Sequence, residues 1–200
     1  MKQVTTVTGQ MVPLPRNNVD TDQIMPKQHL KRVERSGFGP YVFYDWRYDE
    51  EGEPHPDFIL NHPDYRESTV LVSGHNFGSG SSREHAPWGL EDWGFEAIIA
   101  PSFADIFYNN CINIGLLPVV LSEEEVTDLT ELAHDPGNRV VIDLDKQTVT
   151  CGDFQAHFEI DGHAKHRLVN GLDNIGLTLH HGDAIDNYES QRAGFKPALG

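Results

Sequence analysis

At 200 residues, 38% apolar and 10% aromatic, the chain is long enough for one domain with a buried core. Its formal charge of −16, with 15 Lys and Arg spread along the chain without a block, excludes nucleic-acid and anionic-membrane partners, which need clustered cations. Its 2 cysteines, Cys111 and Cys151, have no paired spacing, which excludes a disulfide framework and any zinc or iron–sulfur site built from this chain's cysteines alone.

No apolar run approaches the ~20 residues that span a bilayer. The segment Met1 to Thr6 lacks an apolar signal core, so a cytoplasmic location is expected. Val4 to Leu14 reads as a strand or a hairpin around Gly9-Gln10. Asn17 to Pro26 is polar and turn-rich, with Val19 and Ile24 expected to be buried. Residues 36 to 66 mix Gly, Pro and Asp with aromatics that need burial, which predicts a long ordered loop with one short helix.

Residues 69 to 121 read as a βαβ unit that continues into a second helix and strand: strand 69–73, helix from about Arg83 to Trp93, strand 97–100, helix Phe103 to about Asn113, strand 117–121. Ser81 with Glu84, and Ser122 with Glu125, stand at capping-box spacing, the second opening a helix from Glu123 to His134. Three short strands follow at 139–144, 148–151 and 155–160, with turns at Asp145-Lys146 and Gly152-Asp153. The end reads as helical, from His163 to Asn170 and then from Leu172 to about Gln191, with a loose tail beyond.

The chemistry gathers in Gly74-His75-Asn76-Phe77-Gly78-Ser79-Gly80-Ser81-Ser82-Arg83-Glu84-His85. A strand that turns through glycines into a helix presents bare N–H groups and a positive dipole end, and Arg83 adds a carboxylate-matching fork. A dinucleotide fingerprint fails, because Arg83 stands where the third glycine belongs and no acidic residue ends strand 97–100. A nucleophile elbow fails too, because no serine has glycines two residues on either side. A mere tight turn explains Gly78 and Gly80 but not two serines and an arginine beside them. Asp20-Thr21-Asp22 taken alone is an ordinary side-chain-capped turn, too short for a metal site. His163, His166, His180 and His181 have no completing ligand and read as structural or solvent-facing.

Asn18-Val19-Asp20-Thr21-Asp22-Gln23-Ile24-Met25-Pro26 and Gly78 to Ala86 together closely resemble the small-subunit family of 3-isopropylmalate dehydratases, in which the aconitase superfamily's mobile C-terminal domain is made as a separate chain. The likeness runs on through Asp45-Trp46-Arg47, Ala100 to Phe107, Leu116-Leu117-Pro118 and Asn170 to Leu179, nearly the whole chain. It implies an α/β fold: a single swivelling β/β/α domain of aconitase C-terminal type over residues 1–200, with a βαβ core and a mixed sheet. The implied activity is a hydro-lyase step of leucine biosynthesis, in which 2-isopropylmalate loses water to isopropylmaleate and regains it as 3-isopropylmalate.

The resemblance also implies a partner large subunit, in a heterodimer or heterotetramer, that carries a [4Fe–4S] cluster acting as Lewis acid on the dicarboxylate substrate, with no cluster bound by this chain. Ser81 would be the base, and Ser82 and Arg83 would bind a substrate carboxylate. Asp22 would match an active-site aspartate, and Leu30, within the family's specificity loop, would receive the isopropyl group. Asp20, Thr21, Glu84 and His85 would support them. Two other readings stay open: a related hydro-lyase acting on homoaconitate, citraconate or dimethylmalate, and a non-catalytic subunit that only closes over a partner's site.

Overall fold

The computed structural model describes residues 1–30, 35–179 and 181–191. A seven-stranded mixed sheet organises them, in the order β4-β3-β2-β1-β5-β6-β7. Strands β1 (Thr6–Leu14), β2 (Val70–Ser73), β3 (Ala97–Ala100) and β4 (Leu117–Val120) run parallel. Strands β5 (Arg139–Asp143), β6 (Thr148–Cys151) and β7 (Phe154–His157) form an antiparallel meander on the other side of β1. The two halves share β1: Met11 to Leu14 pair with β2, while Thr6 to Gln10 pair with β5.

Gly9-Gln10 is therefore strand interior and not a hairpin turn. Glycine is needed there because a Cβ on Gly9 would lie 1.7 Å from Thr69 Oγ1, where the chain enters β2. The parallel strands are apolar on both faces because both are covered. Val70, Val72, Ala97, Ile99, Leu117 and Val119 face one core, while Leu71, Ile98 and Ala100 face another. β5 buries only Val140 and Ile142 and leaves Arg139 and Val141 in solvent, the alternation of a half-covered antiparallel strand.

The first core is closed by α5 (Glu123–Ala133) and α6 (Gly162–Asn170) through Val126, Leu129, Ala164 and Leu168. The second is closed by α3 (His85–Trp93), α4 (Asp105–Ile114), the single turn α1 (Thr21–Ile24) and the aromatic segment 36–66. That segment holds the short helix α2 (Tyr44–Arg47) and three 3₁₀ turns, at Gly39–Tyr41, Ile59–Asn61 and Pro63–Tyr65. Phe38, Phe43, Phe58, Leu60 and Tyr65 anchor it in the core, as do the expected Val19 and Ile24 in the preceding turn.

The Ser122–Glu125 capping box forms, with Glu125 N–H donating to Ser122 Oγ at 3.3 Å and Ser122 N–H to Glu125 Oε2 at 2.8 Å. α6 ends at Gly171, in the left-handed region at φ 66°. The single C-terminal helix expected from Leu172 is instead two, α7 (Asn174–Leu179) and α8 (Gly182–Ser190). Asp173 Oδ1 accepts from Gly176 N–H at 2.7 Å, and neither helix has a buried residue that would align it on the core. His163, His166 and His181 are exposed; His180 and the expected tail at 192–200 lie outside the described residues. Among the described residues no helix is long and apolar enough to cross a membrane.

Candidate active site

The parallel strands end at one edge of the sheet, where the loops after β1, β2 and β3 meet. After β2 the chain turns through Asn76 (φ 58°), Gly78 (φ 76°) and Gly80 (φ 91°). Gly78 is dictated by space as well as by φ, since a Cβ there would lie 2.1 Å from the Phe107 ring. The loop is stitched on both sides. Gly78 and Ser79 N–H donate to Val19 O at 2.8 and 3.2 Å, and Thr21 N–H donates to Ser79 O at 2.8 Å. On the far side Phe77 N–H donates to Ser102 O, and Ala104 N–H to Phe77 O, both at 3.0 Å.

Asp20-Thr21-Asp22 is the capped turn of α1. Asp20 Oδ1 accepts from Gln23 N–H at 2.8 Å while Gln23 Oε1 accepts from Asp20 N–H at 2.9 Å. This cap sets Asp22 between two cations. Arg83 Nη1 donates to Asp22 Oδ1, and Lys27 Nζ lies 3.2 Å from Asp22 Oδ2. Thr21 Oγ1 donates to Ser81 O at 3.0 Å, so Asp20 and Thr21 brace the serine loop from beneath.

Ser81, Ser82 and Arg83 line a cleft of about 230 Å³ together with Thr21, Gly78, Gly80 and residues 104 to 107 and 110. Both serines are exposed. Arg83 uses only Nη1 toward Asp22; among the described residues its Nε and Nη2 make no hydrogen bond, which leaves one guanidinium edge for a carboxylate. The N-cap of α4, Ala104, offers no side-chain acceptor, so that uncapped helix N-terminus opens on the same cleft.

The start of α3 differs from expectation. The helix begins at His85, its N-cap Glu84 makes no side-chain cap bond, and the Ser81–Glu84 capping box does not form. Pro87 explains the shift. At the third position of α3 its missing N–H costs nothing, but in a helix begun at 82 or 83 its ring would press on the carbonyl four residues back. The helix N-terminus that lines the serine cleft is therefore that of α4.

Glu84 lies on a neighbouring groove with Arg35 and Trp88, and the His85 ring packs against Phe38 and Trp88 at centroid distances of 5.5 and 4.9 Å. Neither lines the serine cleft. Leu30 is half-buried against the aromatic core and does not line it either, while Lys31 and Arg32 lie outside the described residues. Sequence reasoning overlooked the role of Lys27 as Asp22's second partner, the α4 N-terminus, and Ile106, which is 55% exposed on the cleft. Only α4 had a local signal, Ser102 and Asp105 ahead of an apolar run.

The Aconitase C-terminal domain family profile matches residues 1–124, and the profile for the C-terminal domain of the 3-isopropylmalate dehydratase small subunit matches residues 174–199. A 3-isopropylmalate dehydratase small subunit of Halalkalibacterium halodurans is 56% identical over 193 residues, covering 96% of this chain and 100% of the relative. That of Koribacter versatilis is 53% identical over 195 residues, again covering 96% and 100%. The chain belongs to the 3-isopropylmalate dehydratase small-subunit family. Its fold agrees: a crystal structure of 3-isopropylmalate dehydratase from Methanocaldococcus jannaschii matches with a TM-score of 0.68 and 26% identity, over 92% of this chain and 99% of that one.

The residues of this family member do not fit an iron–sulfur cluster. Cys111 sits in α4 within one core and Cys151 in β6 within the other, and burial pushes both thiols up, Cys111 well up, away from the thiolate a cluster needs. Among the described residues no group of three or more His, Cys, Asp or Glu could hold a metal ion.

Proposed function

We infer that this chain serves as the small subunit of a 3-isopropylmalate dehydratase, a hydro-lyase of leucine biosynthesis, and that its serine cleft supplies the base and one carboxylate clamp. The observation that carries this reading is the convergence of Ser81, Ser82, the free edge of Arg83 and the α4 N-terminus on one cleft. Dehydration removes a C–H proton beside a carboxylate, which builds charge on a group already anionic. A site for that step needs positive potential aimed at the carboxylate and a base within reach of the carbon.

In this reading Ser81, as the alkoxide, takes the proton from carbon. Ser82 Oγ–H and the Nε/Nη2 edge of Arg83 hold the adjacent carboxylate, and the C–O bond breaks as the hydroxyl takes a proton from an acid on the large-subunit side of the site and leaves as water. Rehydration runs the same steps backwards with water added at the neighbouring carbon. A serine is too weak a base unless a cation and a helix dipole favour its ionised form; in this reading Arg83 and the α4 N-terminus, which line the same cleft, favour it against the opposing charge of Asp105 in that first turn. Asp22 keeps Arg83 oriented, and exposed Ile106 offers an apolar wall for the isopropyl group. The other half of the site, including any cluster, belongs to a large subunit.

The test is an assay on 2-isopropylmalate with a cognate large subunit. Ser81→Ala should lower kcat by about 10²–10⁴-fold with the assembly intact. A rate within a few-fold of the parent would remove Ser81 from the chemistry and leave a subunit that only closes the site. Full turnover by this chain alone would overturn the two-chain assignment.

A further inference from the structure

Arg47, at the end of α2, is 7% exposed, yet among the described residues no carboxylate pairs with it. Its four hydrogen bonds all go to neutral acceptors: Asn61 Oδ1 at 3.0 Å, Pro40 O at 3.0 Å, Val42 O at 3.4 Å and Tyr48 Oη at 3.0 Å. The guanidinium also stacks 4.4 Å from the Trp93 ring centre. A cation taken out of water without a counter-charge is costly, and neutral dipoles offset only part of that cost. Burial depresses its pKa; Tyr48 opposes that shift, and the neighbouring charge of Arg66 adds to it.

Arg47, Tyr48, Asn61, Arg66 and Trp93 line a cleft of about 440 Å³ that no carboxylate side chain borders. Arg66 makes no side-chain hydrogen bond or ion pair among the described residues. The Trp93 Nε1–H is buried and donates to nothing. Tyr48 Oη accepts from Arg47, which leaves its own proton free to donate. Two full positive charges and the Tyr48 hydroxyl thus border one cavity of a chain whose formal charge is −16. Stapling of segment 36–66 accounts for the four neutral bonds of Arg47. It does not account for Arg66, which lines the same cleft without a side-chain partner among the described residues.

We propose that this cleft is a binding site for a small oxyanion, a phosphate or a carboxylate, held between Arg47, Arg66 and the Tyr48 hydroxyl beside the Trp93 ring. It shares no lining residue with the serine cleft and sits at the opposite end of α3, about 12 Å along the helix axis from His85. Its volume leaves room for more than the anionic group, so the ligand class is a small metabolite carrying one. The site stands independently of the role given to Ser81.

The test is a titration of the full chain, ¹⁵N-labelled and at constant ionic strength, with inorganic phosphate in one arm and malate in the other. The readout is the indole Nε1–H resonance that Trp93→Phe removes. The expected result is a saturable shift of that resonance in at least one arm, and the tighter arm identifies the kind of oxyanion. Arg66→Gln, at an exposed position, should weaken that binding about tenfold with the melting temperature unchanged. Arg83→Gln should leave it intact. No saturable shift in either arm, an unchanged titration in Arg66→Gln, or loss of the shift in Arg83→Gln would each overturn the proposal.

Discussion

At Gly78 the backbone turns at φ 76° against the face of the Phe107 ring, and Phe107 belongs to the first turn of α4. Gly78→Ala adds a methyl group to a left-handed residue and drives it into that ring. The expected cost is about 2–4 kcal/mol of stability, read by denaturant unfolding. Because the displaced ring carries the N-terminus of α4, turnover should fall as well. Lys27 presents the opposite case. Its pair with Asp22 is open to water, with the two side chains 68% and 40% exposed, so Lys27→Met should change stability by less than about 1 kcal/mol. Its effect should show in binding. With Lys27 gone, Asp22 draws harder on Arg83, so KM for the dicarboxylate should rise severalfold with kcat little changed, and Lys27→Arg should restore it. An unchanged KM in Lys27→Met would detach Lys27 from the clamp.

Among the elements, α3 and α5 show how a cap motif succeeds or fails. Ser122 and Glu125 meet because nothing after them disturbs the first turns of α5. Ser81 and Glu84 have the same spacing and do not meet, because Pro87 holds the start of α3 at His85 and Thr21 ties down the Ser81 carbonyl. The outcome serves the site, since serines spent on a helix cap would not be free in the cleft. Ser122→Ala should therefore cost about 1 kcal/mol, seen as a lower melting temperature, and leave turnover with the large subunit unaltered. A loss of turnover at full occupancy of the assembly would show that α5 reaches the catalytic edge.

For the whole molecule, the sheet joins two halves of different character through one strand. The parallel half, buried on both faces, carries the serine cleft at its carboxyl edge; the meander is half-covered and turns a polar face to solvent. The formal charge of −16 falls on this compact body, and the 4 Lys or Arg ion pairs among the described residues leave that excess in place, since it already counts their cations. Self-repulsion of that size weakens the folded state at low ionic strength. The melting temperature should rise as sodium chloride is added from low salt to about 0.15 M, and a flat or falling curve would show that the charge is already balanced in the folded chain.

The strands, the Ser122 cap and the stop at Gly171 were legible in the sequence because each rests on a period or on chemistry confined to a few neighbouring residues. The serine–arginine loop was legible for the same reason: Ser81, Ser82 and Arg83 are adjacent in the chain and so share one place in any fold. Tertiary structure decided the rest. It carried Asp22 across 61 residues to Arg83, made Gly9 strand by bringing Thr69 against it, and broke the C-terminal helix where no core held it straight. It also turned the α4 N-terminus toward the serines and gathered Arg47, Arg66 and Trp93 around a second cleft. Such meetings have no local period or cap to announce them. They depend on how separate elements pack against shared cores, and that packing is a property of the closed chain as a whole.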